Sequence, residues 1–197
     1  MPATDTDSRL LQRLTRGDSA AFECIFLRHY QSVYRVAYGL SGRRDVTEDI
    51  VQETFLELYR QPPALREEGS LLSWLCRVAL NKCHNSLRSE RRAQEREGLV
   101  YVDALEPDYN PEDLLLKSEE NARVRDALAQ LTERQRSILL LRYAGLSYAE
   151  VAALAEIAPG SVGTMLVRAE RAFMAAYKKN SQPDSQPDVY PLERAKQ

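Results

Sequence analysis

Apolar residues recur at helical spacing along most of this chain. Phe22, Ile25, Phe26, Tyr30, Val33, Tyr34, Ala37 and Tyr38 follow one another at three- and four-residue steps, which predicts a long amphipathic helix. A loop around Gly42 interrupts it. Asp45 then precedes a second stripe, Val46, Ile50, Val51, Thr54, Phe55, Leu58 and Tyr59, stopped by Pro62–Pro63. Ser70 is positioned to cap a third helix that runs through Leu72, Leu75, Val78, Ala79 and Leu87 towards Arg91 and Arg92. Together these place a helical domain over residues 9–92.

The period then fades. Residues 93–111 are acidic, carry Gly98, Pro107 and Pro111, and read as a linker; Leu99–Val102 is the only weak strand candidate. Over 112–178 the helical spacing returns. Pro111–Asp113 opens a helix bearing Leu114, Leu115, Val124, Ala127, Leu128 and Leu131, and Thr132 caps the next, which ends at Gly145. Ser147 caps a short helix, Tyr148–Ala155. After Ile157–Gly160 a longer basic helix is expected over Ser161–Lys178. Two helices joined by a tight turn, the second longer and basic, form the helix-turn-helix pattern. The polar, proline-broken segment 179–197, with SQPD twice, reads as a disordered tail. The expected fold is therefore all-α, two small helical domains joined by an acidic linker.

Composition narrows the function. Among 197 residues, 44% are hydrophobic and 28% charged, enough for ordinary cores. The longest aliphatic run, Ile138–Leu141, is far short of the ~20 residues of a membrane span, and no secretory leader is visible. Three cysteines fit a reducing cytoplasm rather than a disulfide framework. Net charge is only −2, yet its distribution is uneven. Residues 77–92 set Arg77, Lys82, Arg88, Arg91 and Arg92 against Glu90 alone, and 97–120 set eight carboxylates against Lys117.

Three constellations carry possible chemistry. In the helix-turn-helix, Leu146, Val151, Ala152, Leu154, Val162, Met165 and Ala169 would pack the pair together. Ser161, Thr164, Arg168 and Arg171 would then face out, where arginines reach guanine edges or phosphates; a solvated hairpin is the plain alternative. Asp45, Glu48, Asp49, Gln52, Glu53 and Glu57 form an acidic helix face, either solvated or a docking surface for a basic partner. The helix 71–92 mixes Trp74, Asn81, His84 and Asn85 with cations, a set suited to single-stranded or distorted nucleic acid, although Trp74 is expected in the core. Cys76, Cys83 and His84 lack the spacing of a zinc site, and His29 reads as structural. No phosphate-binding loop, nucleophile elbow or other catalytic signature occurs, so neither an enzyme nor a cofactor or metal site is expected.

Taken together, three ordered blocks resemble bacterial RNA polymerase sigma factors of the extracytoplasmic-function group. They are DVTEDIVQETFLELYR at 45–60, LLSWLCRVALNKCHNSLRSERR at 71–92 and LTERQRSILLLRYAGLSYAEVAALAEIAPGSVGTMLVRAERAF at 131–173. The resemblance implies that Asp45, Asp49, Gln52, Glu53 and Phe55 dock on the β′ coiled coil of core RNA polymerase. It implies that Asn81 holds a flipped base of the minus-ten element, with Arg77, Lys82, Asn85, Arg88, Arg91 and Arg92 around the same strand. Ser161, Gly163, Thr164, Arg168 and Arg171 would read the minus-thirty-five element, with the second domain seated on the β flap. Residues 93–111 would thread towards the polymerase active-site channel. Promoter DNA and an anti-sigma factor are the other implied partners, with no direct membrane insertion.

One departure stands out, because many relatives carry Lys-Ser where this chain has Leu166-Val167. Those two side chains are free to touch thymine methyls, enter the domain core, or widen a surface for an anti-sigma factor. Three rival functions predict different behaviour. A free-standing helix-turn-helix regulator would bind a palindromic duplex site without polymerase. An inactive decoy would bind polymerase without directing transcription, and a metal-dependent nuclease would need Asp45 and Asp49 to hold a divalent ion.

Overall fold

The computed structural model describes residues 5–64, 70–97 and 114–180. Eight α-helices and no strand occur among them: α1 Asp7–Thr15, α2 Ser19–Ser41, α3 Arg44–Arg60, α4 Leu71–Glu97, α5 Leu114–Ala129, α6 Glu133–Tyr143, α7 Tyr148–Ala155 and α8 Val162–Asn180. A single 3-10 turn, Pro159–Ser161, leads into α8. The all-α expectation holds. No single helix among the described residues is long and apolar enough to cross a membrane.

The first domain is built on α2, against which α1, α3 and α4 pack. The side chain of Asp18 accepts from Ala20 N and Ala21 N to start α2. Gly42, at φ 69°, ends it in the left-handed conformation that costs glycine nothing. Helix α1, which sequence periodicity did not single out, is pinned by ion pairs and by a hydrogen bond between the neutral His29 imidazole and Asp7. Asp7 meets Arg28 at 2.5 Å and the buried His29 at 3.0 Å, and Arg13 bridges Asp5 at 2.6 Å and Asp18 at 2.8 Å. Its Leu10, Leu11 and Leu14 enter the core.

Several boundaries differ from the sequence expectation. Helix α3 begins at Arg44 rather than after Asp45; Asp45 lies in its first turn and takes an Arg43 guanidinium hydrogen bond at 2.6 Å, which suits a carboxylate near a helix N-terminus. Helix α4 continues to Glu97, five residues into the expected linker. Ala93, Gln94, Glu95, Arg96 and Glu97 are all good helix formers, so no apolar period is needed to sustain it. Helix α8 likewise reaches Asn180, whose Oδ1 accepts from Gln130 Nε2 at 3.1 Å, so the first two residues of the expected tail are helical. The rest of the linker and tail, the strand candidate Leu99–Val102 and the expected helix opening at Pro111–Asp113 lie outside the described residues.

In the second domain, α5, α6 and α7 surround α8. Thr132 and Ser147 each close a reciprocal capping box, with Gln135 and Glu150. The two domains share one apolar cluster, in which Ile25, Leu40, Leu75 and Cys76 of the first join Ile138, Leu141, Val151 and Leu166 of the second. The closest approach is between α2 and α6, where Gly39 lies under Leu140. Polar groups edge this contact. Arg136 donates to Leu40 O at 3.4 Å as well as to Ala129 O and Leu131 O, which caps α5 and reaches the carbonyl end of α2 with one guanidinium. Arg125 donates to the Tyr38 hydroxyl at 3.1 Å and lies 6.0 Å from its ring centre.

Candidate nucleic-acid and docking surfaces

Helix α4 places its two faces unambiguously. Leu71, Leu75, Cys76, Val78, Ala79, Leu80 and Cys83 are buried, and Arg77, Asn81, Asn85, Arg88 and Arg92 are exposed. Arg77, Asn81 and Arg88 recur at four and seven residues and so line one side; Arg91 is on the same helix. Burial pushes both the Cys76 and Cys83 thiols up to about 12, which makes them inert packing groups. Trp74 is half-buried against the core, in keeping with a packing role. No group of three metal-ligating side chains occurs among the described residues.

Helix α3 turns Asp45, Glu48, Asp49, Gln52 and Glu53 outward. Phe55 does not belong to that surface. It is 2% exposed, because Ile50, Val51, Thr54, Phe55 and Leu58 form the stripe that packs on α2. Its ring meets Phe26 at 4.8 Å and Phe22 edge-on at 6.4 Å. Any influence of Phe55 on a partner therefore acts through the position of α3. The exposed apolar groups on this helix are Leu56 and Tyr59 instead. Sequence periodicity places Tyr59 in the core stripe, but it is 54% exposed at the rim, its ring T-shaped to that of Phe22 at 5.3 Å.

Two residues assigned to separate surfaces meet. The Lys82 ammonium lies 2.9 Å from Glu53 and 3.5 Å from Glu57, and the hydrogen bond to Glu53 leads the causes that raise its pKa. This trio lines a shallow groove between α3 and α4 together with Leu56, Arg60 and Gln61. A phosphate at Lys82 would have to displace these carboxylates, whereas Arg77 and Arg88 face away from them.

In the helix-turn-helix, Val162, Leu166, Ala169 and Ala176 are buried on one side of α8, and Thr164, Val167, Arg168 and Arg171 are exposed on the other. Ser161 is exposed at the entry turn. Gly163 is half-buried, and a Cβ there would rest 3.7 Å from the Tyr148 ring. The turn between α7 and α8 passes through Glu156, held at φ 53° in the left-handed region that L side chains seldom adopt.

Tyr148 and Arg142 were not singled out by sequence. Tyr148 is 49% exposed at the first position of α7, and the Arg142 guanidinium stands 5.6 Å from its ring centre. The available signal was position. In a helix-turn-helix the first helix crosses the DNA backbone, and Tyr148 directly follows the capping Ser147.

The N-termini of α4 and α7 also share one carboxylate. Ser70 Oγ accepts from Ser73 N at 3.1 Å, capping α4, and donates to Glu150, whose other oxygen accepts from Ser147 N and Oγ at 2.8 Å. Burial alone would raise the Glu150 pKa, but these hydrogen bonds outweigh it and lower it. About four turns further along α4, His84 Nε2 lies 3.1 Å from Glu133 Oε1, at ion-pair distance without hydrogen-bond alignment.

Comparison with known proteins agrees with this layout. The model of sigma-70 region 2 matches residues 25–93, and that of sigma-70 region 4 matches residues 121–173. The chain is 32% identical to the ECF RNA polymerase sigma-E factor of Escherichia coli, over 85% of this chain and 92% of that one. It is 29% identical to the RNA polymerase sigma-H factor of Pseudomonas aeruginosa, over 88% and 94%. The sigma factor RpoE of Bartonella quintana, solved with the anti-sigma factor NepR, shares the fold at a TM-score of 0.65 and 24% identity, over 80% of this chain and 96% of that one. Two regions in the right order, over nearly the full length of these relatives, place this chain in the extracytoplasmic-function family of sigma-70 factors, which direct the initiation of transcription by RNA polymerase.

Proposed function

We propose that the chain docks on core RNA polymerase through the exposed face of α3, reads a minus-ten element with α4 and assists its melting, and reads a minus-thirty-five element with α8. The observation that carries this reading is that α4 and α8 each bury one apolar face and turn a polar, arginine-bearing face outward. On α4, Arg77 and Arg88 hold phosphates on either side of Asn81, whose amide offers donors and an acceptor to a base edge. On α8, Arg168 and Arg171 enter the major groove, while Arg142, Ser147 and Tyr148 approach the adjacent backbone. Asp49 and Gln52, exposed at the centre of α3, supply the docking contacts with Asp45. An anti-sigma factor is the remaining partner, since the Bartonella relative is held by one.

The closed packing of the two domains bears on this function. Two promoter elements about two helical turns apart are separated by roughly 70 Å of duplex. Helices α4 and α8 belong to one shared core, so the domains separate before both elements are read.

Run-off transcription with core polymerase tests the reading. Specific transcripts from promoters sharing two spaced elements, abolished by Asp49→Arg, support it. Binding to core without transcript favours a decoy. Tight duplex binding without core overturns the reading in favour of a free-standing regulator.

A further inference from the structure

Leu166 and Val167, neighbours on α8, have opposite fates. Leu166 is 4% exposed and belongs to the shared core, whereas Val167 is 46% exposed. At about 100° per residue, Arg171 lies directly opposite the buried line of Val162, Leu166, Ala169 and Ala176. Thr164 and Val167 lie on either side of it, each within about 40°. Val167 thus sits near the middle of the outward face, one turn from Thr164 and from Arg171, on the flank where Tyr148 borders Gly163. One turn away stand Thr164, Arg171 and the exposed carboxylate of Glu170, with Arg168 beside them and, across the turn, Tyr148 with Arg142.

From this placement we infer that Val167 is a specificity-determining residue that reads the C5-methyl group of a thymine in the upstream promoter element. The inference rests on the proposed role of α8 in the major groove. There, thymine alone presents a methyl group, and an apolar side chain is its complement. Val167 has no hydrogen-bonding atom, so it cannot satisfy a guanine or adenine edge; opposite a cytosine it would bury the exocyclic amine without a partner. Its β-branched side chain is stiff in a helix, so little rotamer freedom is lost on contact. Arg171 and Arg168 would contribute affinity and register, and Val167 the preference at a single base pair.

The test uses holoenzyme assembled from core polymerase and the full chain, on a promoter whose upstream element has been mapped by footprinting. Each thymine of that element is replaced singly by deoxyuridine, which keeps base pairing and removes only the methyl group. Wild type is expected to bind about fourfold more weakly at one of these positions, the effect of one lost methyl contact. Val167→Ser should bind the thymine and uracil versions of that site equally, closing a double-mutant cycle between one side chain and one methyl.

Val167 is exposed, so this variant folds, and the surviving footprint at the minus-ten side verifies it. An element with no methyl-sensitive thymine overturns the inference, as does methyl sensitivity that persists in Val167→Ser. In both cases Arg168→Ala and Arg171→Ala still weaken upstream protection, and the role of α8 stands. If those arginine variants have no effect and no upstream element is protected, the role of α8 falls and the inference with it.

Discussion

The contact between Gly39 and Leu140 offers a way to open the two domains without unfolding either. A Cβ on Gly39 would lie 2.5 and 2.7 Å from the two Leu140 methyl carbons and 3.2 Å from Cγ, well inside ordinary contact. Alanine is the mild case, since the Leu140 methyls can swing aside and the gain in helix propensity, about 1 kcal/mol, offsets the crowding. Leucine cannot be accommodated in this way. Overpacking of a fitted contact costs about 1–3 kcal/mol, and the propensity gain recovers less than 1 of that. Val36, Ala37 and Leu40 are fully packed in the first domain, so α2 stays in place and the relief comes from moving α6 away. A net 1.4 kcal/mol shifts the closed-to-open ratio tenfold.

Pulsed electron resonance between spin labels on exposed Arg35 and Arg134 reports this separation, with Cys24→Ser as background. Cys76 and Cys83 are buried and escape labelling. Wild type and Gly39→Ala should give one short distance, and Gly39→Leu a longer, broader population. A Gly39→Leu protein that remains folded with the wild-type distance would refute the reasoning, as would opening by Gly39→Ala alone.

Three further outcomes are expected. Burial lowers the pKa of His29 below its ordinary 6.5, more than the facing Asp7 raises it, and Arg28 lowers it further. The unfolded chain therefore takes up this proton first: His29 is neutral in both states above about pH 6.5, and stability falls as pH drops below that value. Thermal melts should show His29→Gln losing this component while keeping a hydrogen bond to Asp7. Phe55→Ala should destabilise by about 3–5 kcal/mol and Phe55→Leu by far less; urea titration measures both, and polymerase binding that collapses in the leucine variant would return Phe55 to the docking surface. Ser147→Ala removes the cap of α7 at a cost of about 1 kcal/mol, read by denaturation; an unchanged midpoint would mean that Glu150 and Ser70 alone hold that end.

What the sequence disclosed was local. The caps at Ser70, Thr132 and Ser147 depend on residues three positions apart, and each is where its spacing predicts. The packed thiols at Cys76 and Cys83 follow from the apolar stripe around them. Contacts between distant segments left no such mark. Glu53 and Lys82 stand 29 residues apart, and each looks like a member of its own charged face until α3 and α4 are laid side by side. Ser70 and Glu150, 80 apart, each satisfy a local cap and so gave no hint of an unmet bond. Phe55 was ambiguous because a helix ringed by carboxylates still needs one side for its core. The pair Leu166-Val167 shows the same limit at finer scale, since neighbours in a helix point about 100° apart and only packing decides which turns in.

The shared core has a thermodynamic corollary. Both halves belong to one chain, so the face between α2 and α6 closes against a neighbour at an effective concentration on the order of millimolar for tethered pairs. A contact whose free halves would associate with a Kd of about 0.1 mM is then closed in roughly nine molecules of ten. Any partner that binds only the separated domains has its affinity reduced by about tenfold. That modest factor lets the protein hold itself closed when alone and open fully for a nanomolar partner.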